Sequence, residues 1–222
     1  MPKRFFTADF HLGMSEVIKY ENRPFETVEQ MNDAFMRSCE VDACEDDTII
    51  HVGDLYSFRR DRGQESMRLK PHEYLRRIKA TFVNVRGNHD VNNKVKSVCD
   101  SMRTFLGRRY RSVSVSHYPT YDRRCAGHFE EGQIHLCGHV HSGWRHCIDI
   151  DRKCLNVNVG VDVWGYRIVP EEELIIYLDR LFRTRPDNLY RCRMAGGRLV
   201  FAGDPFKMDP LSPINEKKEE KQ

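Results

Sequence analysis

Two periods of hydrophobic spacing run through this chain. "RFFTADF" (residues 4–10), "DTIIHVGDL" (47–55) and "TFVNVRGNHD" (81–90) are short apolar runs bounded by Gly, Asn and Asp, and they predict buried strands. Between them "TVEQMNDAFMRSCEV" places Val28, Met31, Ala34, Phe35 and Val41 near helical spacing, with Thr27 as cap or Pro24 as entry point. "PHEYLRRIKA" predicts a second helix from Pro71, and a weaker one is expected over Lys94 to Leu106. The later chain turns β-rich in "RYRSVSVSHYP", "GQIHLCGHVH" and "CLNVNVGVDVW", before a helix over "PEEELIIYLDRLF" whose three glutamates suit its N-terminus. "YRCRMAGGRLVFAG" predicts a hairpin over 189–203, turning at Gly196-Gly197. Strand and helix alternate first and strands follow one another later, which indicates a layered α/β fold. Met14 to Phe25 and Gly143 to Lys153 read as loops.

The chain of 222 residues, 40% apolar, suffices for one sizeable core. A single domain over 1–204 is expected, followed by a disordered tail over 205–222, "PFKMDPLSPINEKKEEKQ", rich in Pro and then in charge. Met1-Pro2-Lys3-Arg4 runs straight into β pattern with no apolar leader, and no segment approaches membrane-spanning length. The eight cysteines include no C-x-x-C pair. A cytoplasmic protein with reduced thiols and no membrane contact is the expectation. The net charge of +3 conceals an asymmetry: residues 1–58 carry five Lys/Arg against twelve Asp/Glu, and residues 59–111 carry fifteen against five. A basic middle segment reads first as solvated helix faces and second as an attractor of phosphate or nucleic acid.

Chemistry collects where strands end. "ADFHLG", "VGDLY", "RGNHD", "SHYP" and "CGHVHSG" each carry oxygen or nitrogen donors at or just beyond a predicted strand. In extended backbone, residues i and i+2 point the same way, so Asp9 and His11 can grip one ion, and His139 and His141 one or two. Carboxylate, imidazole and amide donors suit a transition metal or zinc better than calcium or magnesium. Each stretch alone has an ordinary reading: Gly53-Asp54 as a turn, His117 as a loop histidine. Their joint order is what carries weight.

In that order, D-x-H, G-D, G-N-H-D, H and G-H-x-H, the chain resembles the calcineurin-like metallophosphoesterases, matching at Asp9/His11, Asp54, Gly87 to Asp90, His117 and Gly138 to His141. The small phage and bacterial members are similar in the surroundings of these motifs. The resemblance implies an α/β fold, a four-layer β-sandwich flanked by helices, with metals at one edge. It implies two divalent metal ions, with Mn the leading choice among Mn, Fe, Ni, Co and Zn. Asp9, His11, Asp54 and His141 would hold one, and Asp54, Asn88, His117 and His139 the other. A metal-bridging hydroxide would then attack the phosphorus of a phosphate mono- or diester, with a small nucleotide-like substrate and diester chemistry favoured.

His89, next to a ligand, is expected to give the leaving oxygen its proton, and Asp90 either orients His89 or stabilises the turn. Arg86, Arg59, Arg60 and Arg23 are candidate phosphate contacts, and Tyr56, Tyr118 and Trp164 candidate stacking or packing groups. Asp162 is a candidate support for a histidine ligand, His51 reads as structural, and His135 is left out of the site. Trp144 either flanks substrate or seals its loop. A nuclease acting on DNA or RNA is the rival enzyme reading, and an inactive interaction scaffold the non-enzymatic one. Oligomeric state is not legible.

Overall fold

A computed structural model describes residues 2–57, 71–92, 95–125, 129–184 and 188–205. Its first sheet has the order β3-β2-β1-β9, from strands β1 (Arg4–Thr7), β2 (Thr48–Val52), β3 (Thr81–Val85) and β9 (Val169–Pro170). β1, β2 and β3 pair in parallel, and β9 joins β1 antiparallel. The second sheet runs β11-β10-β7-β8-β6-β5-β4. Its strands are β4 (Ser101–Leu106), β5 (Tyr110–Ser116), β6 (Ile134–Cys137), β7 (His146–Asp149), β8 (Cys154–Asn158), β10 (Arg191–Ala195) and β11 (Arg198–Ala202). This is the mixed α/β arrangement of two sheets and flanking helices that the motifs implied.

Strand alternation explains the layers. Phe6, Ile50, Val52 and Val85 point from the first sheet into a core shared with Val113, Val115, Ile134, Leu136 and Val157 of the second. Helix α5 (Glu171–Leu181) adds Leu174, Tyr177, Leu178 and Leu181 to that core. Neighbouring residues in sequence, Phe5 and Ile49, face the other way and meet helix α2 (Val28–Asp42) through Met31, Phe35, Met36 and Cys39. Thr27 caps α2 by accepting from the Gln30 N–H at 3.2 Å, and Gln30 reaches back to the Glu26 N–H at 2.9 Å. Val41, counted in the apolar stripe, is 75% exposed, beyond the last buried position at Cys39.

Other boundaries differ from expectation. The segment read as a helix up to Leu106 ends instead in strand β4, antiparallel to β5. Met102, Thr104 and Leu106 are the less exposed positions there, a period of two that edge-strand pairing selects over a weak helical spacing. The presumed loop around Gly143 to Lys153 contains β7, and the one around Met14 to Phe25 contains helix α1 (Ser15–Tyr20). The helix from Pro71, α3 (Pro71–Leu75), is short, as is α4 (Asn88–Asn92) after β3, while the 189–203 hairpin forms as β10 and β11. Residues 206–222, most of the expected tail, lie outside the described residues, as do Arg59 and Arg60. Among the described residues no helix is long and apolar enough to cross a membrane.

Candidate functional site

Every motif lies beyond the carboxyl end of a strand, and the strands bring them together. Backbone hydrogen bonds lock the loops to one another: the Asp9 N–H donates to the Gly53 carbonyl at 3.0 Å and the His11 N–H to the Asp54 carbonyl at 2.9 Å. The Gly138 N–H donates to the His117 carbonyl at 3.1 Å. Asp9, His11, Asp54, His139 and His141 all have left-handed backbone, with φ of 60°, 50°, 57°, 71° and 48°. The paired residues therefore converge through tight left-handed turns rather than along extended backbone. Such a conformation in a non-glycine residue costs on the order of 1 kcal/mol or more and persists where surrounding contacts over-determine it.

Two glycines make the approach possible. A Cβ on Gly87 would stand 2.2 Å from Asp54 Oδ1 and 2.3 Å from the Asp54 nitrogen, and one on Gly138 would stand 2.7 Å from Asp9 Oδ2.

Among the described residues, three overlapping triplets have potential ligand atoms within 4.8 Å of one another: Asp9, His11 and His141; His11, Asp54 and His89; and Asp54, His117 and His139. Asn88 joins the third, its Oδ1 3.2 Å from His117 Nε2. The local chemistry fits a cation. His117 Nδ1 lies 3.0 Å from the Val52 carbonyl and so donates to it, which turns Nε2 toward two oxygens, Asn88 Oδ1 and Asp54 Oδ2 at 3.3 Å. A nitrogen lone pair facing two acceptors calls for a proton or a metal between them. Burial opposes charge on His117, yet the Asp54 carboxylate raises its pKa to about 9. Burial raises Asp9 to about 6 and holds His11 well below the ordinary imidazole value. Both ring nitrogens of His11 are buried without a hydrogen-bond partner, as a ligand histidine would be before its ion binds.

Supporting residues surround this cluster. His141 Nδ1 meets Asp162 Oδ2 at 2.8 Å, the arrangement of a carboxylate that fixes a ligand imidazole. Arg23 clamps Asp162 with Nε at 2.7 Å and Nη2 at 2.9 Å, and also donates to the Asp9 and Phe10 carbonyls. That disposes of Arg23 as a phosphate contact: its guanidinium is buried beneath the site and committed to holding it. Asp90 likewise does not orient His89. Its carboxylate accepts from the backbone N–H groups of Gly87, Asp54 and Leu55 at 2.9, 3.1 and 2.9 Å and from the Asn84 amide. It is the turn-stabilising carboxylate, tied through Asn84 to His51 in the neighbouring strand. His89 Nδ1 instead faces Ser57 Oγ at 2.9 Å, a partner no motif announced.

Among the substrate candidates, Arg86 is half exposed and paired with Asp100 at 2.9 Å. Tyr118 stands with its ring centroid 5.1 Å from His117 and 4.9 Å from His139. Arg86, Asn88 and Tyr118 line one cavity, together with Arg124, which sequence reasoning missed. Tyr56 and Trp164 are buried in the two cores, His51 is buried with its pKa lowered by burial to about 3, and His135 packs among Ser114, Ser116 and the Tyr118 carbonyl on the outer face of the second sheet. Trp144 is 3% exposed against Cys137, Cys147 and Cys192, so it seals its loop.

Residues 8–173 match the family model described as the calcineurin-like phosphoesterase superfamily domain. An uncharacterized protein of Methanocaldococcus jannaschii, MJ1445, is 26% identical over 183 residues, 81% of this chain and 93% of the relative. A solved structure of a protein of unknown function from Aquifex aeolicus, AQ665, superposes with a TM-score of 0.55 at 19% identity, covering 79% of this chain and 99% of that one. Yfce, a phosphoesterase from E. coli, gives a TM-score of 0.40 at 16% identity over 70% of this chain and 78% of its own.

Proposed function

Because the chain belongs to the calcineurin-like phosphoesterase superfamily, we propose that it is a dinuclear metal-dependent phosphoesterase that hydrolyses a small, nucleotide-like phosphodiester. Membership supports the phosphoesterase class, and the finer reading rests on one observation. Asp54 belongs to the His117/His139 triplet and, with His11, to a second one, so a single carboxylate stands between two sets of donors.

In this reading Asp9, His11, Asp54 and His141 hold one ion, and Asp54, Asn88, His117 and His139 the other. The ions, when bound, supply Lewis acidity: they neutralise phosphoryl charge and acidify water, with manganese the first choice by the family resemblance. The protein does the rest. Asn88 contributes an oxygen without adding a negative charge where an anionic phosphate must sit. Asp162 fixes the His141 ring, and the Val52 carbonyl fixes that of His117. His89 stands beside His11, ring centroids 4.8 Å apart, and its backbone N–H holds Asp54 Oδ1 at 2.8 Å. With Nδ1 engaged by Ser57, Nε2 is the ring nitrogen assigned to deliver a proton to the leaving oxygen.

A polynucleotide substrate is less well supported. In the basic segment Arg77 pairs with Asp33 and Glu40, Arg86 with Asp100, Arg103 with Glu130 and Arg109 with Asp179, the pattern of a solvated face. The test is metal analysis of the purified protein together with turnover of bis(p-nitrophenyl) phosphate after reconstitution. About two divalent ions per chain, with turnover abolished by chelation and restored by Mn²⁺, is the expected result. Substoichiometric metal and no turnover would sink the reading, and steeply salt-dependent cleavage of DNA or RNA would move it to a nuclease.

A further inference from the structure

A cavity of about 340 Å³ opens beside the donor cluster, lined by Arg86, Asn88, Val91, Tyr118 and Arg124 among others. It adjoins the His117/His139 end of the cluster. His89, the assigned proton donor, packs edge-on against His11 at the other end and is not among its lining residues. A group seated in the cavity therefore meets Asn88 and Tyr118 rather than the His89 ring.

Arg124 is held in the lining of this cavity. Its Nε and Nη2 grip the two oxygens of Asp122 at 3.0 and 2.7 Å, its guanidinium carbon lies 4.3 Å from the Tyr118 ring centroid, and Nη2 also reaches His139 Nε2 at 2.9 Å. A guanidinium only donates, so His139 Nε2 accepts through the lone pair a metal would require. Metal and Arg124 cannot share it. An ion that takes the nitrogen displaces Nη2 from it and frees that N–H for a phosphoryl oxygen, while the Nε bond to Asp122 keeps the guanidinium beside the cavity.

Resting on the phosphoesterase reading above, we infer that this cavity is the subsite for the retained group of a nucleoside-type phosphodiester. Arg124 takes a phosphoryl oxygen, and Tyr118 and Val91 meet the nucleoside. The Tyr118 ring, with the Arg124 guanidinium over it, and the exposed Val91 offer apolar contact, and Asn88 and the Arg86–Asp100 pair add polar groups around it, the mixed lining such a ligand uses. In the reaction, a water that has given one proton to solvent forms the new bond to phosphorus through its oxygen, the bond to the leaving oxygen breaks, that oxygen takes the proton held by His89, His89 regains a proton from solvent, and the phosphate keeps the nucleoside.

The experiment compares two diesters with the same p-nitrophenolate leaving group, thymidine 5′-(p-nitrophenyl phosphate) and methyl p-nitrophenyl phosphate, and measures AMP binding to the manganese-loaded protein by calorimetry. Wild type should favour the nucleoside ester at least ~10-fold in kcat/KM, and Val91→Glu and Tyr118→Ala should erase that preference with metal content unchanged. Arg124→Ala should weaken AMP and both diesters by ~10-fold or more, with Arg124→Lys intermediate, as expected for loss of one charge-assisted hydrogen bond. Equal turnover of the two diesters by wild type, or an Arg124→Ala protein with unchanged AMP affinity, would overturn the subsite while leaving the phosphoesterase standing. A wild type inert to both esters whose AMP affinity still falls in Arg124→Ala and Val91→Glu would keep the subsite and sink the hydrolytic reading.

Discussion

Nδ1 of His141 lies 2.8 Å from Oδ2 of Asp162, a residue 21 positions later that no motif contains. The carboxylate thereby sets which ring nitrogen is left for an ion. Asp162→Asn removes the charge but keeps the shape, and a 10–100-fold loss of metal affinity with an unchanged circular dichroism spectrum is expected, as for other supporting carboxylates. A metal titration followed by isothermal calorimetry checks it.

Arg23 and Asp162 form a buried ion pair, with side chains 0% and 1% exposed. Arg23→Met leaves Asp162 buried without its cation, and the Asp9 and Phe10 carbonyls without a donor. The expected loss is about 3–5 kcal/mol of stability, read by urea unfolding of the metal-free protein.

His89→Asn should leave metal content intact and cut turnover of alkyl esters by roughly 10²–10⁴-fold. Nitrophenyl esters, whose leaving oxygen needs no proton, should suffer far less. Ser57→Ala, which removes the partner of Nδ1, should lower turnover of alkyl esters and spare nitrophenyl esters, with metal content unchanged. Equal loss on both ester types would make Ser57 a packing residue only.

Gly87→Ala places a methyl 2.2 Å from Asp54 Oδ1, against backbone as well as side chain. The turn must open, which draws the shared carboxylate away from its partners. Metal binding and thermal stability should fall together, whereas Gly196→Ala, with nothing near its Cβ, should lose stability modestly through its φ of 57° and leave metal binding alone.

His51 and His135 are both buried, and burial lowers their pKa values to about 3 and about 4. A histidine with a depressed folded-state pKa binds its proton more readily in the unfolded chain. Its contribution to stability is complete above the unfolded value of 6.5 and is lost as pH falls toward the folded value. The chelated protein should therefore lose Tm progressively from about pH 6.5 down toward pH 4, and His135→Gln should flatten that slope.

The clustered donors were legible because each candidate ligand sits in a short turn directly after a strand, where local sequence shows both strand and turn. Strands β1, β2 and β3 and helices α2 and α5 showed in the same way, through period-two and helical spacing over enough residues to be distinctive. Strand β4 did not, because an edge strand with Phe105 54% exposed carries too weak an alternation to outweigh a helical reading. Strand β7 was hidden for the converse reason: its four residues acquire meaning only between β8 and β10.

Local sequence by itself determined the chemistry available at the strand ends and the superfamily to which it belongs, since donor type, order and turn glycines are all short-range properties. Only the tertiary structure decided what each neighbouring charge is for. Arg23 is pulled under the site by Asp162, Asp90 is spent on three backbone N–H groups, and Ser57 and Arg124 reach His89 and His139 across 32 and 15 residues. A charged or hydroxyl side chain takes its role from the partner that desolvation forces it to find, and that partner is chosen by packing.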